Sequence, residues 1–333
     1  MKLLAIGDAL IPADVMEEGL SSLSLHGIEV EVREWKHDSV EALQKDNLLV
    51  EGKGPEAITV EKELFDGIET FDAIVVQFTP LSKEILQRGR KLKLIGVLRG
   101  GTENVAHSEA KALGISVLNT PGRNARAVAE FTLGMILSEV RNIARSHEAL
   151  KKGKWEKDFP NGEGIPELNE KKIGIVGYGN IGKLLGSYLH ALGCELLIYD
   201  EYTDDIPYYG KKVSLDELLE QADVVSLHLR LTEETYHFIG KREIEKMKET
   251  AVLINTARSG LIDEEALVQS LKEKKIMGAA LDVFDHEPLP HDDKLLSLRN
   301  VTITPHLAGS TIDAFRQSPK KMAEYIVEWM KQR

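Results

Sequence analysis

The stretch KKIGIVGYGNIGKLLG, residues 171–186, decides how this chain is read. A short apolar run, IGIV, leads into Gly177, Gly179 and Gly182 at the spacing G-x-G-x-x-G. Immediately afterwards, IGKLLGSYLHALG repeats its apolar residues with helical period. Three glycines alone are a weak signal, but strand, glycine turn and helix in this order are what a phosphate cradle needs. The first glycine permits the tight turn, the second lets a pyrophosphate reach the backbone, and the third lets helix and strand pack closely. The helix start offers free N–H groups and a partial positive charge. Tyr178, Asn180 and Ile181 fill the same loop and are candidate contacts with it. The next apolar run, ELLIYD, ends at Asp200, 23 positions after Gly177. A carboxylate there accepts hydrogen bonds from a ribose and repels the extra phosphate of NADP, so the expected dinucleotide is NAD.

Working outward, KIGIVG, ELLIYD, ADVVSLHL, AVLINTA, MGAALDVF and NVTITP read as six strands, with helical segments between them. The first part of the chain has the same rhythm, with strands at KLLAIGD, EVEVREW, DAIVVQF, KLIGVL and GISVLN. Strands alternating with helices predict parallel sheets covered on both faces, an α/β fold. Residues 50–63 are less regular. After NTPGRN, a helical reading runs from Ala125 to Gly153, and its wide apolar stripe predicts burial on more than one side. The final segment, DAFRQSPKKMAEYIVEWMKQR, reads as an amphipathic helix.

Four titratable residues stand in or just beyond the predicted strands. VLINTARSG places Arg258 just after its strand, GAALDVFDHEP places Asp282 within its strand and Glu287 just beyond it, and TITPHLAG places His306 after a proline that stops the ladder. In a parallel sheet these positions share the carboxyl edge with the dinucleotide loop. Alone, each has a plain structural reading; as a set they have a chemical one. Transfer of hydride to or from a 2-hydroxy acid needs a proton acceptor, and histidine suits neutral pH. A carboxylate on the second ring nitrogen fixes the tautomer and stabilises the imidazolium, a role for Glu287. An arginine grips a substrate carboxylate with two prongs, a role for Arg258.

Bulk properties narrow the classes. A net charge of −12 argues against a nucleic-acid or anionic-membrane partner. The single cysteine, Cys194, excludes an internal disulfide, and its apolar neighbours predict a buried, inert thiol. No run approaches the roughly 18 apolar residues of a membrane span, and MKLLAIGDALIPAD lacks a leader's apolar region, so the cytoplasm is the expected location. No cluster with metal-ligand spacing is found, so no metal is expected.

From about Lys93 to Ala308 the chain resembles the D-isomer-specific 2-hydroxyacid dehydrogenases. The resemblance rests on NTPGRNARAVAE, GKW, GIVGYGNIG, LIYD, SLHLRLTEET, INTARSGLIDEEAL, GAALDVFDHEP and TPHLAG. It implies catalytic roles for Arg258, Glu287 and His306. It implies cofactor contacts at Asp200, Thr235, Thr256, Arg258, Asp282, His306 and Ala308, besides the loop of Gly177 to Gly182. It also implies that backbone amides near Gly100 and Gly101 hold the substrate carboxylate, with Arg99 and Gln77 candidates for the same pocket. The implied architecture is a Rossmann NAD-binding domain, 120–308, beside a discontinuous flavodoxin-like substrate domain, 1–119 and 309–333, with a cleft between them. A homodimer through the helix near 125–150 is implied as well. The departures are informative. Arg230 stands where the family often has proline, on the adenosine side. LRGGTEN is shorter than the corresponding loop of phosphoglycerate dehydrogenases, and Glu287 stands where formate dehydrogenases usually carry glutamine. Arg99, Arg123 and Arg126 could add positive charge for an acidic substrate. The expected activity is NAD(H)-dependent interconversion of a small 2-oxo acid and its D-2-hydroxy acid. The alternative is an NAD-sensing, co-repressor-like binding protein with little turnover.

Overall fold

The structure is a computed structural model and describes residues 1–161 and 166–332. It divides into two compact units, Met1–Asn124 with Thr311–Arg333, and Ala125–Ser310. Along the first unit the elements are β1 (Lys2–Gly7), α1 (Ala13–Leu20), β2 (Glu29–Glu34), α2 (Val40–Lys53), β3 (Ala73–Val76), α3 (Lys83–Arg88), β4 (Leu94–Val97), α4 (His107–Ala112) and β5 (Ser116–Asn119). In the second unit, α5 (Ala125–Val140) and α6 (Ile143–Lys151) precede β6 (Lys172–Val176), α7 (Asn180–Ala191), β7 (Glu195–Tyr199) and β8 (Gly210–Lys212). There follow α8 (Leu215–Gln221), β9 (Val224–Leu227), α9 (Lys241–Lys246), β10 (Val252–Asn255), α10 (Glu264–Lys272), β11 (Gly278–Leu281) and β12 (Val301–Ile303). The chain then returns to the first unit as α11 (Ile312–Lys331).

The first unit holds a parallel five-stranded sheet in the order β2-β1-β3-β4-β5, the flavodoxin-like order. Alternate residues of each strand enter different cores. Leu4, Ile6, Ile74 and Val76 join one, while Leu3, Ala5, Ala73 and Val75 join the other. The second core includes Met322, Ala323 and Ile326 of α11. Helix α11 packs on α1 so closely that a Cβ on Gly19 would collide with Pro319.

The second unit holds a parallel seven-stranded sheet in the order β12-β11-β10-β9-β6-β7-β8. The chain leaves β6 to one side for β7 and β8 and returns on the other side at β9. This reversal makes the β6/β9 boundary the switch point of a Rossmann sheet, where ligands bind beyond the carboxyl ends. The strand β8, three residues with two exposed lysines, carries no apolar pattern and escaped the sequence reading.

The single helix expected from Ala125 to Gly153 is two. It breaks at Asn142, whose φ of 56° is left-handed, a conformation asparagine tolerates better than most residues. The break is stitched by side chains: Asn142 Nδ2 donates to Asn161 Oδ1 at 2.6 Å, and Asn161 Nδ2 donates to the Val140 carbonyl at 3.1 Å. Arg145 pairs with the buried Glu139 and donates to the Glu139 carbonyl. Cys194 is buried, and burial pushes its thiol up to about 11. Among the described residues no helix is long and apolar enough to cross a membrane, and no acidic, histidine or cysteine group is placed to hold a metal.

Candidate active site

At the end of β6, Gly177 adopts φ 96°, and a Cβ there would lie 2.8 Å from the His228 carbonyl carbon. Gly182 in the first turn of α7 faces the Gly177 carbonyl oxygen, which any Cβ would strike. Gly179 differs from both: a Cβ on it would meet nothing within 4 Å. Space is therefore open above the start of α7, where Gly179 provides no side-chain cap. Unfilled N–H groups beside open space fit the pyrophosphate of NAD. Tyr178 contributes backbone only, because its ring is buried in the core.

Asp200 follows β7. Its Oδ2 accepts from Tyr178 N at 2.7 Å, and its Oδ1 accepts from Tyr202 N at 2.8 Å and Thr203 N at 3.0 Å. A carboxylate has about four acceptor positions, so Oδ2 keeps one for a ribose hydroxyl. The carboxylate thus ties the phosphate loop to the adenosine side. Thr235 caps its own turn, with Oγ1 donating to the Arg230 carbonyl at 2.6 Å, and Arg230 is exposed. The residues present fit the dinucleotide.

Strand register brings the other candidates to the same edge. Asn255 pairs with Leu281, and Leu281 with Ile303. Arg258, Asp282 and His306 follow those three residues in their chains. Asp282 therefore lies just past β11, not within it as the sequence reading had it. Asn255 braces the loop to Arg258: its Nδ2 donates to the Arg258 carbonyl at 2.8 Å and its Oδ1 accepts from Ala257 N at 3.0 Å. Arg258 is exposed, and its Nη1 donates to the Ala257 carbonyl at 2.7 Å. No carboxylate pairs with it among the described residues, so most of its donor fork is free. Thr256 is buried, and its hydroxyl meets that of Thr132 on α5 at 2.7 Å.

His306 takes a left-handed φ of 54°, a strained conformation for a residue with a Cβ. Its Nδ1 lies 2.7 Å from Glu287 Oε2, and Glu287 Oε1 accepts from Phe284 N at 3.0 Å. Asp282 is fully buried, and all its side-chain bonds go to the chain around His306: Thr304 Oγ1 at 2.6 Å, Leu307 N at 2.9 Å and Ala308 N at 2.8 Å. Thus Glu287 and His306 are bonded directly, and Asp282 is bonded to the turn that carries His306, with Ala308 donating from its backbone.

In the first unit, Gln77 follows β3 and is fully buried, with neither amide atom bonded. Arg99 follows β4, and its guanidinium does not stand free. It donates to Asn47 Oδ1, Glu51 Oε1 and Glu103 Oε2, each at 2.6 Å, so two carboxylates balance its charge. Gly100 is exposed beside Gly101. Arg123 lies over the Phe315 ring at 5.0 Å, and burial pushes its guanidinium down to about 10. Arg126 is exposed.

The family model of the D-isomer specific 2-hydroxyacid dehydrogenase NAD binding domain matches residues 133–308. The hydroxypyruvate reductase of Thermotoga maritima is 41% identical over 268 residues, 79% of this chain and 86% of that protein. This chain belongs to the D-isomer specific 2-hydroxyacid dehydrogenases. Within that family it is also 40% identical to the glyoxylate reductase of Thermofilum pendens, over 81% of each chain. The NAD complex of a D-isomer specific 2-hydroxyacid dehydrogenase from Lactobacillus delbrueckii ssp. bulgaricus has the same fold, with a TM-score of 0.80 at 22% identity. That match covers 100% of this chain and 98% of the other. As a 2-hydroxyacid dehydrogenase, the chain is an oxidoreductase that uses NAD.

The sequence reading missed His228. It lies at the end of β9 against Gly177, with Nε2 2.9 Å from Ser226 Oγ and Nδ1 buried without a partner. Burial pushes its imidazole down to about 4. The signal was present in SLHL, a histidine on the carboxyl side of an apolar run, as at TITPH.

Proposed function

We propose that this dehydrogenase reduces a small 2-oxo acid to its D-2-hydroxy acid with His306 as the proton donor, and runs the reverse with His306 as the base. The observation that supports this reading is the 2.7 Å contact of His306 Nδ1 with Glu287 Oε2. With Nδ1–H donated to the carboxylate, Nε2 is left as the working nitrogen, protonated to donate and bare to accept. Glu287 is itself held by the Phe284 N–H, so the ring has a fixed reference. Arg258, which pairs with no carboxylate among the described residues, receives the substrate carboxylate in its fork. Bound NADH supplies the hydride, and Gly177 to Gly182, Asp200, Thr235, Thr256 and Ala308 are the residues that hold it. Gly100 and Gly101 are assigned to the substrate carboxylate. The names of the relatives make glyoxylate and hydroxypyruvate the first acids to try.

The test is a panel of 2-oxo acids with NADH, run on the wild type, His306→Ala and Arg258→Lys. Turnover should fall by roughly 10² to 10⁴ in His306→Ala. Arg258→Lys should chiefly raise KM, since an ammonium cannot grip with two prongs. An active His306→Ala enzyme would end this reading.

We further propose a homodimer through α5 and α6. Ile143 and Leu150 on α6 are more than half exposed, and Trp155 just beyond is 81% exposed, which leaves apolar surface for a second copy. Light scattering of wild type and Leu150→Glu decides it, and a monomeric wild type would refute it.

A further inference from the structure

We infer that Thr304 is a positioning residue for His306, acting through a clasp that Asp282 closes around the turn. The inference rests on the assignment of His306 as acid and base. After β12 the ladder continues for one more bond, Thr304 N to the Leu281 carbonyl at 3.0 Å. Pro305 then has no N–H to give, and the chain turns back, His306 N donating to the Thr304 carbonyl at 3.0 Å. Immediately after this tight turn His306 takes its left-handed backbone, φ 54°. A strained residue keeps its place only when its surroundings over-determine it.

Asp282 supplies that determination. Its carboxylate is bonded on both sides of His306, to the Thr304 hydroxyl before it and to the Leu307 and Ala308 amides after it. No cation pairs with this carboxylate among the described residues, so those three donors carry its whole compensation. A buried carboxylate that loses one of them must find another, so removing a donor shifts the turn that the donors hold. Asp282 is fixed on its own side, because its N–H donates to the Asn255 carbonyl at 3.0 Å.

The Thr304 hydroxyl has one proton and two acceptors, Asp282 Oδ1 at 2.6 Å and Met135 Sδ at 3.7 Å. The carboxylate takes it, since a charged oxygen is the far stronger acceptor. The segment 282–287 therefore holds His306 twice, by its backbone through Asp282 and by its ring through Glu287.

Thr304→Val keeps the shape and removes the donor, while Thr304→Ser keeps the donor. With glyoxylate and hydroxypyruvate as substrates, Thr304→Val should lower kcat by about 10 to 10², the cost of a misplaced catalytic group. KM and the NADH dissociation constant should stay within about twofold, because the donor touches neither ligand. Thr304→Ser should restore most of the loss. Independently, the Leu307 and Ala308 amides should exchange slowly in the ligand-free wild type and faster in Asp282→Asn, whose side-chain NH₂ must face one of those amides. The clasp is overturned by a Thr304→Val enzyme with unchanged kcat, by failure of serine to rescue, or by equal exchange in the Asp282→Asn protein. If the wild type reduces no acid of the 2-oxo acid panel, the assignment of His306 as acid and base is what fails, and the exchange measurement still judges the clasp.

Discussion

Replacing Asp8 by asparagine should make the first unit less sensitive to rising pH. Asp8 follows β1 and is fully buried, with Oδ1 accepting from Leu10 N and Ile11 N and Oδ2 within hydrogen-bond distance of no donor among the described residues. Burial pushes its carboxyl up from 3.8 to about 6, against smaller opposing pulls from the Leu10, Ile11 and Phe78 amides and from His37. Below the ordinary value, folded and unfolded chains are both protonated at this site. As pH climbs, the unfolded chain ionises first and so binds fewer protons, and folding stability falls until the folded pKa is passed. The displacement corresponds to a loss of about 2.5 kcal/mol between pH 4 and pH 8. Asparagine keeps the Oδ1 acceptor and never ionises. Its NH₂ has no acceptor, but neither has the O–H of protonated Asp8, so that cost cancels in the comparison of the two pH values. The stability difference, Asp8→Asn minus wild type, should therefore rise by about 2.5 kcal/mol from pH 4 to pH 8. Urea unfolding followed by the fluorescence of the buried Trp35 measures it. A difference independent of pH would refute the reasoning.

The second unit should respond in the opposite sense. His228 is pushed down to about 4, so its unfolded form takes a proton first as pH falls below 6.5, and about 3 kcal/mol is lost toward pH 4. His228→Gln should flatten that slope in urea titrations. Gly182→Ala should weaken NADH by about ten- to a hundredfold in fluorescence titrations, because its Cβ must displace the Gly177 carbonyl. Asp200→Ser should reduce the preference for NADH over NADPH by at least about tenfold, measured as the ratio of kcat/KM values.

The cofactor loop and the strand-end residues were legible because their chemistry is local. GIVGYGNIG and TITPH each combine an apolar run with a residue that breaks it. The arrangement around them was not. Helix α2 passed unnoticed because its apolar residues do not form a stripe: Leu43 and Val50 are buried, while Leu48 and Leu49 face outward. Yet α2 supplies Asn47 and Glu51, which accept hydrogen bonds from Arg99, Glu51 also balancing part of its charge. Arg99 is therefore legible as a charge but not as an engaged one. The break at Asn142 is invisible in RNIARS, since the bond that stabilises it comes from Asn161. Likewise, Asp282 could be placed at an edge, but its bonds to the turn of His306 are long-range and have no period to betray them.

The start of α7 has a consequence for folding. Ser39, Ser82, Ser214, Asp263 and Thr311 each close their helices with a side-chain oxygen. Gly179 closes nothing, and such a closure typically stabilises a helix by about 1 kcal/mol. The chain leaves its first turn deficient at the place where a phosphate would complete it. Affinity and incomplete folding are here one quantity. A mutation that made α7 self-sufficient would harden the empty protein and, by the same amount, remove a reason for the dinucleotide to bind.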